Sequence, residues 1–248
     1  MKSLVVRRRK KMRTPYGRPS DRYVLADIAD VPVVFLPRHG SDHSIPPHKV
    51  NYRANIWGFR ELGVQRIISF GATGGISRRM SPHRIVIPDQ IIDMTAGRES
   101  TFFDGDKGVV HIDFTEPYCG ETRKIIMNAA RQLKIKVIKT GTYICNAGPR
   151  LETKAEIQFY ARAGADIVGM TAMPEAVLAR EAEICYAGIA VVTNTAAGLT
   201  DRSISAGEVI AGVRKVAGQL KELVGSSCRM AQRERTCACT HALKEARV

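Results

Sequence analysis

The sequence predicts an α/β fold: a single domain with a central mixed β-sheet flanked by helices. Short apolar runs suited to buried strands alternate with stretches of helical apolar spacing. Hydrophobic residues make up 44% of the 248 positions, enough for one sizeable core. Neither an internal repeat nor a linker interrupts the body.

The elements follow in chain order. "VPVVFLP" (31–37) reads as a strand leading into the polar, proline-bearing loop "RHGSDHSIPPHK". "VNYRANIWGFRELG" (50–63) spaces Val50, Ile56, Trp57 and Leu62 on one helical face and stops at Gly63. "QRIISFGATGGI" reads as a strand entering a glycine-rich turn, and "HRIVIPDQII" as another strand. "TRKIIMNAARQLKI" is an amphipathic helix, and "KVIKTGTYICNAGPRLET" returns to strand and ends in a loop. The helix "KAEIQFYARAG", the strand and loop "ADIVGMTAMP" and the helix "PEAVLAREA" come next. "CYAGIAVVTN" is the last long strand, and "SAGEVIAGVRKVAGQLKELVG" (205–225) closes the body as a long helix.

The formal net charge of +14 sits mostly at the ends. Residues 1–18 carry +8 without an acid and residues 225–248 carry +3, leaving +3 for everything between. "VVRRRKKMR" has no interleaved aromatic residues, so it reads as a solvated tail and argues against a nucleic-acid partner. "SLVV" is too short an apolar core for a signal peptide, and no stretch approaches a membrane span. Cys119, Cys145 and Cys185 are scattered through apolar surroundings without paired spacing, as suits reduced thiols in the cytoplasm. Cys237 and Cys239 form "CAC", which is not a recognised zinc spacing and has no matching second pair, so no metal is expected.

Polar clusters stand where the strands end: Arg38–His39, Gly71 to Gly75, Asn146 to Glu152, Met170–Thr171 and Asn194. Each alone has a plain structural explanation; Asn194 after a strand can simply start a turn by bonding its own backbone. "GATGG" lacks the Lys-Ser/Thr of an ATP-hydrolysing loop. Together the clusters supply cationic donors, backbone N–H groups and a hydroxyl for an oxyanion. Glu152 and Asn194 beside them suit a neutral heterocycle, so phosphate plus a base is the substrate pair they suggest.

"PRHGSDHSIPPHKVNYRANIW", "GATGGI", "VIPDQIIDMTAGRESTFFDG", "HIDFTEPY", "NAGPRLETKAE", "ADIVGMTAMPEAVLARE" and "TNTAAG" resemble, in order, the trimeric purine nucleoside phosphorylase family. The branch they resemble holds the methylthioadenosine and S-methyl-5′-thioinosine phosphorylases. The resemblance covers roughly residues 14–224. It implies phosphorolysis of a purine nucleoside or its methylthio analogue, a homotrimer, and inorganic phosphate as co-substrate with no metal or organic cofactor.

By that resemblance Arg38, His39, Thr171 and the Gly71–Ala72 turn hold phosphate. Met170 packs under the ribose, and His43 lies near the sugar–phosphate end. Leu151 faces the base, Glu152 contacts the ring N–H of an oxopurine, and His111 reaches a neighbouring subunit's site. Adenine-directed members carry Asp at the positions of Asn194 and Ala196. Asn194, Thr195 and Ala196 therefore indicate a 6-oxopurine, with Asn194 and Glu152 assisting departure of the base. Ala206 marks the 5′ pocket and, being small and apolar, favours methylthioinosine over inosine. Inosine or guanosine, methylthioadenosine, or a weakly active chain that only binds purines are the alternatives. Family members open with a strand and a glycine-rich turn similar to "IIGGSG". Here residues 1–13 stand in its place as a basic tail, so the usual first strand is expected to be lacking. Residues 14–224 form the domain, and residues 225–248 an atypical C-terminal tail.

Overall fold

The computed structural model describes residues 4–105, 108–201, 203–231 and 234–248. Among the described residues, ten strands form two sheets. The smaller is an antiparallel meander of β1 (Leu4–Lys10), β2 (Tyr23–Ile28) and β3 (Val31–Phe35). After α1 (Tyr52–Glu61) come β4 (Arg66–Gly75), β5 (Ile85–Val86), β6 (Gln90–Met94) and α2 (Gly120–Gln132). The chain continues through β7 (Val137–Ile138), β8 (Thr142–Asn146), α3 (Lys154–Arg162), β9 (Ile167–Gly169) and α4 (Ala172–Glu181). It ends with β10 (Cys185–Thr195), α5 (Ala206–Met230) and a short 3-10 turn at Ala238–His241. The larger sheet has seven strands in the order β6-β8-β9-β4-β10-β5-β7. Its pairings are mixed, with β4 parallel to β10 and antiparallel to β9.

β10 lies inside the sheet, between β4 and β5, and both of its faces are apolar, as a doubly covered strand requires. Tyr186, Ala190 and Val192 pack toward α1 and α4 with Tyr52, Ile56 and Leu178. Ala187, Ile189 and Val191 pack on the opposite face with Ile126 of α2 and Val216, Leu220 and Leu223 of α5. Each fully buried Ile or Leu contributes ~1.5–3 kcal/mol. The helix expected over 50–63 forms as α1, with Asn51 accepting from the Ala54 N–H at its start. Gly63 follows it at φ +70°.

Three elements differ from the sequence expectations. "GATGG" is not a turn: β4 continues to Gly75, paired in register with β10. Glycine is needed there for close approach, since a Cβ at Gly75 would lie 1.9 Å from the Met80 carbonyl oxygen. Residues 4–10 are solvated, as expected of a tail, yet they form a strand held to β2 by its backbone. Arg7 pairs with Asp27 across that ladder, beside a bulge between Val6 and Arg8. Finally, α5 runs past the expected boundary at 224 to Met230, and the chain beyond it docks on the body. Arg66 donates to the Ala231 carbonyl at 3.0 Å, the Thr236 N–H to Glu121 at 3.1 Å and the His111 N–H to the Ala246 carbonyl at 2.8 Å. No helix among the described residues is long and apolar enough to cross a membrane.

β9 meets β4 only at Gly74 and Gly75. The upstream stretch Arg66–Thr73 therefore presents an edge with no strand partner among the described residues, and this edge borders a large cleft.

Candidate active site

The cleft has a volume of about 1740 Å³, larger than the ~300–1,000 Å³ of ordinary ligand sites. Arg38, His39, His43, Gly71, Ala72, Leu151, Glu152, Met170, Thr171, Asn194 and Ala196 all line it. They arrive from five places: the loop after β3, strand β4, the loop after β8, the β9–α4 junction and the end of β10.

At one end the Arg38 guanidinium is gripped by Glu175 of α4. Its Nε pairs with Oε1, and Nη2 donates to Oε2 at 2.9 Å. Glu175 is only 5% exposed and also lies 2.9 Å from the Tyr186 hydroxyl, so its charge is compensated. Two of the five guanidinium N–H groups serve the carboxylate, and three remain for the cleft. His39 places Nδ1 2.8 Å from the Ile45 carbonyl, so Nδ1 carries the proton and Nε2 of the neutral ring is an acceptor. Burial holds its pKa below the ordinary value, assisted by the Arg38 and His43 charges. A phosphate oxygen facing Nε2 must therefore bring a proton with it, or the anion must itself raise the ring's affinity for one.

Thr171 precedes α4, and its hydroxyl makes no capping bond. A Cβ at Gly71 would lie 3.8 Å from that hydroxyl, which places Thr171 over the open edge of β4. The Thr171 N–H faces the Tyr143 hydroxyl at 3.4 Å. Tyr143 reaches it only because Gly169 has no side chain, since a Cβ there would stand 2.0 Å from the phenol oxygen.

At the other end Glu152 is buried, with Asn146 Nδ2 3.4 Å from its Oε1. Desolvation raises the Glu152 pKa above the usual carboxylate value. Asn194 is 6% exposed. Its Oδ1 accepts from the Thr193 hydroxyl at 2.8 Å and its Nδ2 donates to the Thr195 carbonyl at 2.9 Å. The amide thus makes the local backbone bond of an ordinary turn residue and still keeps one N–H and one lone pair for the cleft. A bulge at Thr193, between Val192 and Asn194 in the pairing with β4, sets the direction of this end of β10.

Two residues expected at the site do not line the cleft. Thr195 offers its carbonyl to Asn194 and stands behind it. Ala206 is exposed at the first turn of α5, where Ile204, Val209 and Ile210 form the wall instead. His111, which the resemblance assigns to a neighbouring subunit's site, is exposed, with its backbone tied to Ala246. Sequence reasoning also missed two residues. Glu175 stands in the first turn of α4 among Ala172, Met173 and Ala176, and its partner Arg38 lies 137 residues away in the sequence. Arg98 binds the carbonyls of Ala147 at 2.7 Å and Met170 at 2.8 Å, fastening the two loops that carry Glu152 and Thr171. Its guanidinium sits 5.0 Å over the Tyr52 ring.

The grouping of potential metal ligands among the described residues is Cys119, Cys185, Cys237 and Cys239, outside the cleft. Of the thiols that look scattered in the sequence, the fold brings Cys119 and Cys185 to the Cys237–Cys239 pair and leaves Cys145 apart.

A strand-end cleft with an anion-holding cation at one end and buried amide and carboxyl groups at the other defines a ligand-transforming α/β protein. The Phosphorylase superfamily model matches residues 4–228, and the chain belongs to that superfamily. It is 52% identical over 235 residues to a probable S-methyl-5′-thioinosine phosphorylase of Thermodesulfovibrio yellowstonii, covering 95% of this chain and 89% of the relative. It is 47% identical over 246 residues to a 6-oxopurine nucleoside phosphorylase of Pyrococcus furiosus, covering 97% and 92%. Among solved structures, the methylthioadenosine phosphorylase of Schistosoma mansoni in complex with adenine superposes with a TM-score of 0.94 at 32% identity, covering 99% and 95%.

Proposed function

We propose that this chain is a cytoplasmic purine-salvage enzyme that phosphorolyses 6-oxopurine nucleosides. Its favoured reaction is S-methyl-5′-thioinosine plus phosphate to hypoxanthine plus 5-methylthioribose 1-phosphate. One observation carries the reading: a single cleft joins the Glu175-held Arg38 and the Thr171 hydroxyl to the buried Glu152 and Asn194. The names of the two relatives support it.

In this reading a phosphate oxygen bonds to the anomeric carbon as the bond from that carbon to the purine breaks. The transition state has oxocarbenium character, like that of glycoside hydrolysis. Phosphate is the nucleophile, so no protein nucleophile is required. Arg38, His39, Thr171 and the edge of β4 at Gly71–Ala72 position it, and His43 borders the same end. Met170 supports the sugar, and Leu151 flanks the base. The purine leaves with the bonding electrons, and donors that tighten toward it lower the barrier. Asn194 donates to the departing oxopurine, and the Glu152 carboxylate accepts from its ring N–H. Adenine presents the opposite polarity and would leave buried groups unpaired, at ~1–3 kcal/mol each. Ile204, Val209 and Ile210 give the cleft an apolar wall that suits a methylthio group.

The test incubates the protein with methylthioinosine, inosine and methylthioadenosine, each with and without phosphate. Hypoxanthine release from methylthioinosine that requires phosphate is expected. Adenine release as the dominant reaction, or release without phosphate, would overturn the proposal.

A further inference from the structure

Cys119 caps α2, Cys185 opens β10, and Cys237 and Cys239 bracket the first residue of the C-terminal 3-10 turn. Cys119, Cys185 and the Cys237/Cys239 pair are far apart in sequence, yet all four sulfur atoms lie within 4.8 Å of one another, with Cys185 and Cys237 3.3 Å apart. We propose that they form a tetrathiolate site for a structural zinc ion that clamps the C-terminal segment to the body of the domain.

The geometry fits. Four sulfurs at ~2.3 Å from a tetrahedral zinc stand ~3.8 Å from one another, within the spread these atoms already occupy. A pair of disulfides would instead draw the sulfurs together two by two to ~2.0 Å, and none of the cysteines is bonded to another. The ligand chemistry fits as well. An all-sulfur set selects a soft or borderline ion, and a tetrahedral one suits zinc. Four protein thiolates complete a tetrahedral shell and leave no position for a substrate or water, which makes the site structural, and three of them, Cys119, Cys185 and Cys239, are buried. The Thr122 N–H points at Cys119 Sγ from 3.5 Å, in the first turn of α2, and provides a donor for a coordinated thiolate. Binding exchanges thiol protons for the cation and requires no oxidant.

The position fits a clamp. α2 and β10 share the apolar cluster of Ile126 and Ile189, whereas the segment after Met230 is held by polar bonds from Arg66 to Ala231, Thr236 to Glu121, Arg235 to Glu183 and His111 to Ala246, to which the four sulfurs would add a clamp. None of the four cysteines lines the cleft, so the site is separate from the chemistry proposed there.

The test is metal analysis of the full chain purified under reducing conditions, followed by cobalt substitution. One zinc per chain is expected, and the cobalt form should show the visible bands of a tetrahedral tetrathiolate. The Cys237→Ser/Cys239→Ser double variant should lose the zinc, while Cys228→Ser, outside the cluster, should keep it. Chelation under reductant should lower the Tm of the wild type, and zinc should restore it. Iron in place of zinc, no metal with all six thiols titratable, or four thiols missing as disulfides would each overturn the proposal. The cobalt spectrum of the wild type decides the matter if the double variant fails to fold.

Discussion

Arg38 divides its guanidinium between a buried carboxylate and the cleft, so removing it should damage both. Arg38→Ala should lower kcat/KM for phosphate by roughly 10- to 150-fold, the equivalent of the ~1.5–3 kcal/mol of a charge-assisted bond. Phosphate-dependence curves measure this, and an unchanged curve would remove Arg38 from the site. Glu152 gives a pH signature. Burial raises its pKa above 4.5, so as pH falls through that raised value the carboxylate gains a proton and can no longer accept from a ring N–H. Catalytic efficiency for methylthioinosine should therefore fall on the acid side at a pH above the usual carboxylate range, and Glu152→Gln should abolish that limb while lowering the plateau. Base choice rests on Asn194 and Ala196. Changing both to Asp should move the ratio of catalytic efficiencies toward methylthioadenosine. Asn194→Asp alone should chiefly impair hypoxanthine release, because a carboxylate facing the six-position oxygen repels it. A ratio within about twofold of wild type, under ~0.5 kcal/mol, would reduce Asn194 to the local bonds it makes with Thr193 and Thr195.

Among the elements, the Arg98 clamp bears most directly on the site, for it fastens the loop after β8 to the β9–α4 junction. Arg98→Ala would strip charged partners from several carbonyls and should cost at least ~3 kcal/mol, a fall in Tm of roughly 6–12 °C for a chain of this size. Thermal unfolding measures this, and the KM for nucleoside should rise with it. The elements also show what a sequence can display. β10 and α1 are legible because burial imprints period two and the helical period on their residues. β1 is not, since its residues are nearly all exposed and its pairing is a backbone matter. Gly75 looks like a turn residue but is small for the sake of Met80. Arg38 and Glu152 are legible as polar groups at strand ends. Glu175 and Arg98 are not, because their partners lie in other elements and only the fold brings them together. The four cysteines are hidden for the same reason.

For the whole molecule, the resemblance that places His111 at a neighbouring subunit leads to the expectation of a homotrimer. Phe159 and Val109 are 58% and 51% exposed on the single chain and are candidates for cover by another copy. Sedimentation should give a trimer, with activity falling as dilution dissociates it, and an active monomer at assay concentration would refute this. The larger sheet carries a further consequence through its strand order. β10 alone joins the four strands β6-β8-β9-β4 to the pair β5-β7. On a ribosome adding ~5–20 residues each second, the inner edge of β4 waits roughly 6–24 s for Thr195 to be made. Until then Ile67 and its neighbours have no partner on that side, and the nascent chain is two fragments of a sheet with no centre. The long wait exposes it to chaperones and to its own kind, so the stretch of translation between Gly75 and Thr195 is when this protein is most open to aggregation.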